Sequence, residues 1–181
     1  MDIVYFDLET QRSANDVGGW GHKDRMGMSV GVTYSTALGT YKIYAEHQAE
    51  ELIEQLKNAD LVIGYNHLYF DYAVLQAYSV FEIESQTRNL DLMLSIEKAC
   101  GIRPKLDSVA EASLGAGKTA EGLQAIKWWR EGKIKEIAEY CAYDVKVTRY
   151  VHEYGVENGF VKFRDKADRD VSVEIPWKTA K

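Results

Sequence analysis

Apolar residues in the first half of the chain follow patterns that predict β-strands. Ile3–Leu8 is apolar on both of its faces, as expected for a strand in the middle of a covered sheet. Met28–Ser35 and Thr40–Ala45 alternate or run apolar on either side of a glycine-containing turn, which predicts a hairpin. The remaining short apolar runs that predict strands are Leu61–Tyr65 and Asn89–Leu92.

Helical spacing of apolar residues appears between these strands and after them. In Gln48–Asn58, Leu52, Ile53 and Leu56 share one face of the predicted helix. The other predicted helices are Tyr69–Tyr78, Met93–Cys100, Asp107–Leu114, Gly122–Arg130 and Ile134–Tyr154. We expect the longest of them to end at Gly155, because glycine is common just after the last turn of a helix.

The order of these elements predicts an α/β fold in which helices cover a mixed sheet. A glycine-rich loop, residues 18–27, follows the first strand. Phe160–Val173 predicts a hairpin around Asp168-Arg169, and its charge cluster, Lys162–Asp170, is expected to be solvated. The length of 181 residues suits one full core and is short for two. We therefore expect a single domain over residues 1–181, with its core at about 3–155 and a C-terminal extension over 156–181.

Charge and composition restrict the classes of function. Lys plus Arg is 22 and Asp plus Glu is 28, so the net charge of −6 is unusual for a nucleic-acid binder, unless bound cations offset some of the acids. No run approaches the roughly 20 apolar residues of a membrane span, and no basic leader precedes the first apolar run. Cys100 and Cys141 have no zinc-ligand spacing, so we expect two small buried hydrophobes in a reducing, cytoplasmic compartment.

Two carboxylates lie at the end of the first predicted strand. Asp7 and Glu9 continue the face of Ile3 and Tyr5, because strand side chains repeat with a period of two. Adjacent carboxylates on a buried strand repel each other unless a cation joins them, and Mg²⁺ and Mn²⁺ prefer such oxygen ligands. Taken alone, the pair also fits an exposed Glu9 that begins a loop and an Asp7 that caps a local turn.

A second polar cluster follows the Leu61–Tyr65 strand. Asp71 lies in the first turns of the next predicted helix and is expected to point toward the carboxyl end of the sheet, where sites of α/β proteins form. Alternatively, Asn66 caps the helix or forms a turn, and Asp71 complements the helix dipole.

The third cluster lies within the longest predicted helix. Tyr140 and Asp144 are four residues apart and share one helix face. Apolar neighbours make a solvated aspartate unexpected here, which favours a functional role. The alternative is an aspartate bonded to a core tyrosine or to Lys146 or Arg149 at the surface.

Together, the three clusters resemble the motifs of the DEDD superfamily of exonucleases. The first motif, a strand bearing DxE, matches Phe6–Thr10; the second, N-x₃-F-D, matches Asn66–Asp71; and the third, Y-x₃-D, matches Tyr140–Asp144. Glu139 stands where the histidine-type branch has its histidine, so the chain is similar to the tyrosine-type, DEDDy, branch. The segments around Asn89–Leu92 and 106–119 also resemble B-family polymerase proofreading domains and YprB-like exonuclease domains, and the resemblance covers Ile3 to about Val151.

This resemblance implies a ribonuclease-H-like sheet, with three antiparallel strands followed by parallel ones, and a 3′–5′ exonuclease that uses two Mg²⁺ or Mn²⁺ ions. The implied catalytic residues are Asp7, Glu9, Asp71, Tyr140 and Asp144, of which the four acids would be metal ligands. Asp7 would bridge both ions, Glu9 and Asp144 would hold the nucleophile-side ion, Asp71 would support the other, and Tyr140 would orient the attacking water. The implied substrate contacts are Leu8, Thr10, Asn66, Phe70 and Lys118.

The implied partner is a nucleic acid with a 3′ end, single-stranded DNA or RNA, delivered by a polymerase or helicase, with no membrane involved. Two alternatives remain open: a structure-specific ribonuclease on the same fold, and a nucleic-acid-binding module without catalysis. A phosphate loop at 112–119 (ASLGAGKT) is disfavoured, because a helix is predicted where such a loop needs a strand. Trp128 and Trp129 are expected mainly to pack, one in the core and one partly exposed, rather than to stack bases.

Overall fold

The computed structural model describes residues 1–115, 122–165 and 167–178. The strands are β1 (Ile3–Thr10), β2 (Met28–Ser35), β3 (Thr40–Ala45), β4 (Leu61–Gly64), β5 (Asn89–Asp91), β6 (Phe160–Arg164) and β7 (Asp170–Glu174). The helices are α1 (Ala14–Val17), α2 (Ala49–Asn58), α3 (Asp71–Leu75), α4 (Leu92–Cys100), α5 (Leu106–Leu114), α6 (Gly122–Arg130) and α7 (Ile134–Asn158). Short 3₁₀ turns cover Trp20–Arg25, Glu46–Gln48, Gln76–Tyr78 and Glu84–Gln86.

Five strands form a mixed sheet in the order β3-β2-β1-β4-β5, with β1 in the centre. The pairs β1–β2 and β2–β3 are antiparallel, whereas β1–β4 and β4–β5 are parallel. This arrangement confirms the predicted α/β class and the mixed sheet flanked by helices. The strands β6 and β7 form a separate two-stranded sheet at the predicted terminal hairpin.

The two faces of β1 bury different residues, as its sequence predicts. Val4, Phe6 and Leu8 enter a core with α2 and α3, while Tyr5 enters the core formed with α4, α5 and α7. Most of the strand is buried on both faces, whereas Asp7 and Glu9, towards its carboxyl end, are only partly buried. Asp7 and Glu9, on the Tyr5 face, are therefore the residues whose surroundings matter most.

The longest helix runs one turn beyond its predicted end. Gly155 lies inside α7, and the helix ends at Gly159, whose φ of 76° is left-handed. A Cβ at position 155 would lie 2.5 Å from Cε3 of Trp177, so this glycine admits the tryptophan rather than ending the helix. The prediction of a stop at Gly155 was wrong because the close contact comes from a residue distant in sequence.

Two further local predictions need correction. The helix expected over Tyr69–Tyr78 begins later, at Asp71, and its last part is a 3₁₀ turn, because Asn66 (φ 64°) starts a tight loop before it. Cys141 is buried as predicted, but Cys100 is partly exposed at the end of α4. Among the described residues, no helix is long and apolar enough to cross a membrane.

Candidate metal and nuclease site

The carboxyl half of β1 extends past its parallel neighbour. The β1–β4 ladder ends at the pair Tyr5 and Ile63, whereas β2 remains paired with β1 as far as Thr10. Asp7 and Glu9 therefore have a strand on one side and an opening on the other. Such a gap beyond the carboxyl end of a parallel strand is where α/β folds place their sites.

Asp71 occupies this gap. Its Oδ1 accepts a hydrogen bond of 3.1 Å from the backbone N–H of Leu8, at a position that β4 would otherwise pair. The aspartate is 3% exposed and begins α3. The second sequence cluster therefore contacts the first through the backbone of Leu8. Asp71 points toward the carboxyl end of the sheet, as expected from the sequence.

Three carboxylates converge beside it. One oxygen from each of Asp7, Glu9 and Asp144 lies within 4.8 Å of the others. Asp144 reaches the strand from the middle of α7, which packs across β1 and β2. Oxygen ligands at this spacing suit a hard divalent cation such as Mg²⁺ or Mn²⁺, so the donor set fits such an ion.

Burial and mutual repulsion shift the pKa values of these acids. Desolvation, followed by the charges of the neighbouring acids, raises the pKa values of Asp7 and Glu9 well above their ordinary values. Desolvation also raises the pKa of Asp71 to about 7, against the effect of the Leu8 N–H, and that of Asp144 to about 7. A bound divalent cation would reverse these shifts by favouring the charged carboxylates.

Tyr140 lies one helical turn before Asp144 and donates a hydrogen bond to it, which lowers the pKa of that carboxyl. Desolvation and the charges of Asp144, Glu9 and Asp7 raise the pKa of the Tyr140 phenol. The phenol therefore keeps its proton at neutral pH and serves as a donor. Trp128 packs edge-on against its ring, with centroids 6.1 Å apart.

Two groups at the site have no role in the sequence prediction. The charge of Asp107, in the first turn of α5, raises the pKa values of both Asp144 and Tyr140. The thiol of Cys141 lies 3.4 Å from Oδ2 of Asp7, underneath the carboxylates. The sequence signal for Asp107 is an acid that opens a helix, which is too common to assign a site.

The loop that carries Asn66 is fixed by Asp91 at the end of β5. The carboxylate of Asp91 accepts hydrogen bonds from the backbone N–H groups of Asn66 (2.9 Å), Leu68 (3.1 Å) and Leu94 (3.1 Å). His67 is fully buried, with Nδ1 3.5 Å from Oδ2 of Asp91, and burial lowers its pKa. This histidine belongs to the turn, and Asp91 is a positioning residue that the sequence analysis missed.

A cleft of about 630 Å³ opens in front of the acids. Asp7, Glu9 and Asp71 line it on one side, and Leu123 and Ile126 of α6 contribute to its wall. The helices α1 and α6 are tied together by Arg130, whose Nη2 lies 2.9 Å from Oδ2 of Asp16.

The predicted substrate contacts also lie along this cleft, with one exception. Leu8, Thr10, Asn66 and Phe70 line it, although the side chain of Leu8 is mostly buried and the Thr10 hydroxyl donates to the Arg12 carbonyl. Lys118 lies outside the described residues. Their contact with a nucleotide stays a prediction.

The two tryptophans of α6 are both partly buried and pack against the first core. The prediction that one is core and one partly exposed therefore needs the correction that Trp128 and Trp129 share an intermediate burial. Their packing role itself agrees with the structure.

An α/β fold with carboxylates converging at the carboxyl end of its central strand suits a divalent-metal site of the kind that hydrolases use. The family model described as the RNase H superfamily matches residues 4–156, most of the chain. The chain belongs to the RNase H superfamily. Membership supports nuclease-type activity on nucleic acid, and RNase H-like nucleases generally use divalent metals. No curated protein matches the chain.

Proposed function

We propose that this protein is a 3′–5′ exonuclease that hydrolyses the terminal phosphodiester bond of a nucleic acid and releases nucleoside monophosphates. The observation that carries the proposal is the convergence of Asp7, Glu9 and Asp144, with oxygens within 4.8 Å of one another, beside the cleft that Asp7 and Glu9 line. The tyrosine-type motif order supports exonucleolytic rather than internal cleavage.

The four acids would together bind two divalent ions, with Asp7 shared between them, Glu9 and Asp144 serving the nucleophile-side ion and Asp71 serving the other. When bound, such ions neutralise the phosphate, lower the pKa of the attacking water and stabilise the leaving oxygen. The raised pKa values of the carboxylates support this assignment, because a bound cation would offset the burial and mutual repulsion that disfavour their charged forms.

Tyr140 and the loop at Asn66 have separate tasks in the proposal. The phenol would donate a hydrogen bond to the attacking water and so orient it, since its raised pKa makes it a poor base. Asn66 and Phe70, which line the cleft, would hold the terminal nucleotide so that its phosphate faces the acids. A polymerase or helicase partner stays a prediction.

The test is a time course on DNA and RNA oligonucleotides labelled at either the 5′ or the 3′ end, with Mg²⁺, Mn²⁺ or EDTA. We expect 5′-labelled strands to shorten stepwise and 3′-labelled strands to release one labelled mononucleotide, only with metal present. Asp7→Asn, which keeps the size of the side chain, should abolish both signals.

The matched control is Glu50→Gln, which removes an exposed acid on α2 and should leave the activity unchanged. If the first products were internal fragments, the protein would be an endonuclease on the same fold and not an exonuclease. Full activity of purified Asp7→Asn protein would overturn the site assignment. A protein that binds strands but never cleaves them, and gains no stability from Mn²⁺, would be the binding module.

A further inference from the structure

Exposed aromatic and basic side chains border the cleft on the side of the Asn66 loop. We call Trp20, Lys23, Tyr69 and Arg103 the rim surface. Trp20 is 62% exposed and Tyr69 is 51% exposed, although large aromatic side chains are usually buried in a folded chain. The rim surface is therefore a place where the protein leaves stacking faces open to solvent.

Cations flank the exposed tyrosine. The Nζ of Lys23 lies 3.9 Å from the ring centroid of Tyr69, and the guanidinium of Arg103 lies 5.6 Å from it. Among the described residues, Lys23 forms no ion pair; its ammonium donates to the carbonyl of Trp20. Arg103 also pairs with Glu97, with Nε 3.6 Å from Oε2, so Lys23 is the cation without an acidic partner among the described residues. An aromatic face beside such positive charge is complementary to a base and its phosphate.

The rim surface is continuous with the acid site. Trp20 lines the cleft together with Asp7 and packs against Phe70, with ring centroids 6.3 Å apart. Arg103 donates a hydrogen bond of 2.9 Å to Oδ1 of Asn66, which also lines the cleft. A strand whose end reaches the acids would thus pass over this aromatic and basic border.

We propose that the rim surface of Trp20, Lys23, Tyr69 and Arg103 binds the single-stranded nucleic acid that precedes the 3′-terminal nucleotide. This inference rests on the proposed function, because it uses the 3′ end to set the strand's direction. The occupant is single-stranded, since stacking needs a base face that a duplex covers. The bases stack on Trp20 and Tyr69, and Lys23 and Arg103 face the phosphates.

The first test measures binding of 5′-fluorescein-labelled dT12 and rU12 by anisotropy in Ca²⁺, beside a blunt duplex of the same length. Because stacking on one aromatic side chain is typically worth a factor of about 5 to 150 in affinity, Trp20→Ala and Tyr69→Ala should each weaken single-strand binding by that factor. The matched control is Tyr150→Ala, since Tyr150 is 43% exposed beside Lys146 and Arg149 but does not line the cleft.

Salt dependence tests the basic half of the surface. Lys23→Gln should reduce the slope of log K against log salt by about 0.7 for a single strand, because one phosphate contact is lost. Lys146→Gln, beside the control tyrosine, should leave the slope unchanged. An unaltered slope in the first variant, or an equal change in the second, would remove Lys23 from the surface.

The second test separates this surface from the catalytic proposal. Hydrolysis of dT12 is compared with that of the p-nitrophenyl ester of thymidine 5′-monophosphate, which is too short to reach the rim. In Trp20→Ala and Tyr69→Ala, kcat/KM for dT12 should fall at least fivefold more than kcat/KM for the ester. Equal losses on both substrates, equally tight duplex binding, or an equal loss in Tyr150→Ala would overturn the rim surface.

Failure of the exonuclease proposal gives a different pattern. Neither substrate would be hydrolysed with Mn²⁺ by the wild-type protein, whereas the binding losses confined to Trp20→Ala and Tyr69→Ala would still identify a single-strand-binding surface. Hydrolysis of both substrates together with unchanged binding in those variants would leave the exonuclease standing and refute the rim surface.

Discussion

Replacement of Asp144 by asparagine should make the metal-free protein less sensitive to pH. Burial raises the pKa of Asp144 from its ordinary value of 3.8 to about 7, so the folded state holds this proton more tightly than the unfolded state does. The stability that this proton contributes is therefore fully present below pH 4 and is lost as the pH rises through 7.

The size of the effect follows from linkage. A carboxyl with these folded and unfolded pKa values loses on the order of 2 kcal/mol of stability between pH 5 and pH 7. Asparagine keeps a side-chain oxygen that can accept the hydrogen bond from the Tyr140 hydroxyl, but its side chain carries no charge. Removal of the Asp144 charge also removes its repulsion of Asp7 and Glu9, whose pKa values it raises. The loss of stability as the pH rises therefore becomes smaller still.

The assay is urea unfolding in EDTA at pH 5, 6, 7 and 8, with Glu50→Gln as the exposed control. The wild type and the control should lose stability in parallel as the pH rises, while Asp144→Asn loses about 2 kcal/mol less between pH 5 and pH 7. Parallel profiles for all three proteins would refute the reasoning, because the carboxylate would then be solvated well enough to titrate normally.

Three shorter predictions concern the metal, the phenol and the helix contact. Mn²⁺ at pH 8 should raise the melting temperature of the wild type but not that of Asp144→Asn, as calorimetry would show; equal shifts would place the ion elsewhere. Tyr140→Phe should lower kcat about 10- to 100-fold in steady-state assays, the cost of a hydrogen bond to a charged group, and an unchanged kcat would contradict its orienting role. Gly155→Ala should cost about 1 to 3 kcal/mol in urea unfolding, because the methyl group meets Trp177, whereas Gly21→Ala meets open space; equal costs would refute the packing argument.

The strands and most helices could be predicted because their signals are local. The period of β1 distinguishes its two buried faces, and the hairpin at β2 and β3 has the bounds that its apolar runs predict. The end of α7 could not be predicted, since Gly155 looks like a helix stop until Trp177 is folded against it. Prediction from the local pattern fails where a residue is required by its contact with a residue that is distant in sequence.

The same division applies to the site. Asp7, Glu9 and Asp144 could be selected from the sequence because a charged residue is unexpected within a strand or helix whose other residues are apolar. The fold then brings their carboxylate oxygens together. Asp91 and Asp107 could not be selected, because an acid that opens a helix has an ordinary explanation. Asp91 matters through three backbone N–H groups that belong to a loop and a helix, which only the folded chain brings to one carboxylate.

The net charge of −6 is unfavourable for binding nucleic acid as a total, but the charges are unevenly distributed. Asp7, Glu9, Asp71 and Asp144 account for four of the acids, and burial raises their pKa values, so they are not part of a solvated acidic surface. Lys23 and Arg103 lie beside the cleft instead, over an exposed tyrosine. A bound nucleic acid responds mainly to the charges close to it, because salt screens charges that are more than about 10 Å away. Lys23 and Arg103 are therefore more important for binding than the net charge of the whole chain.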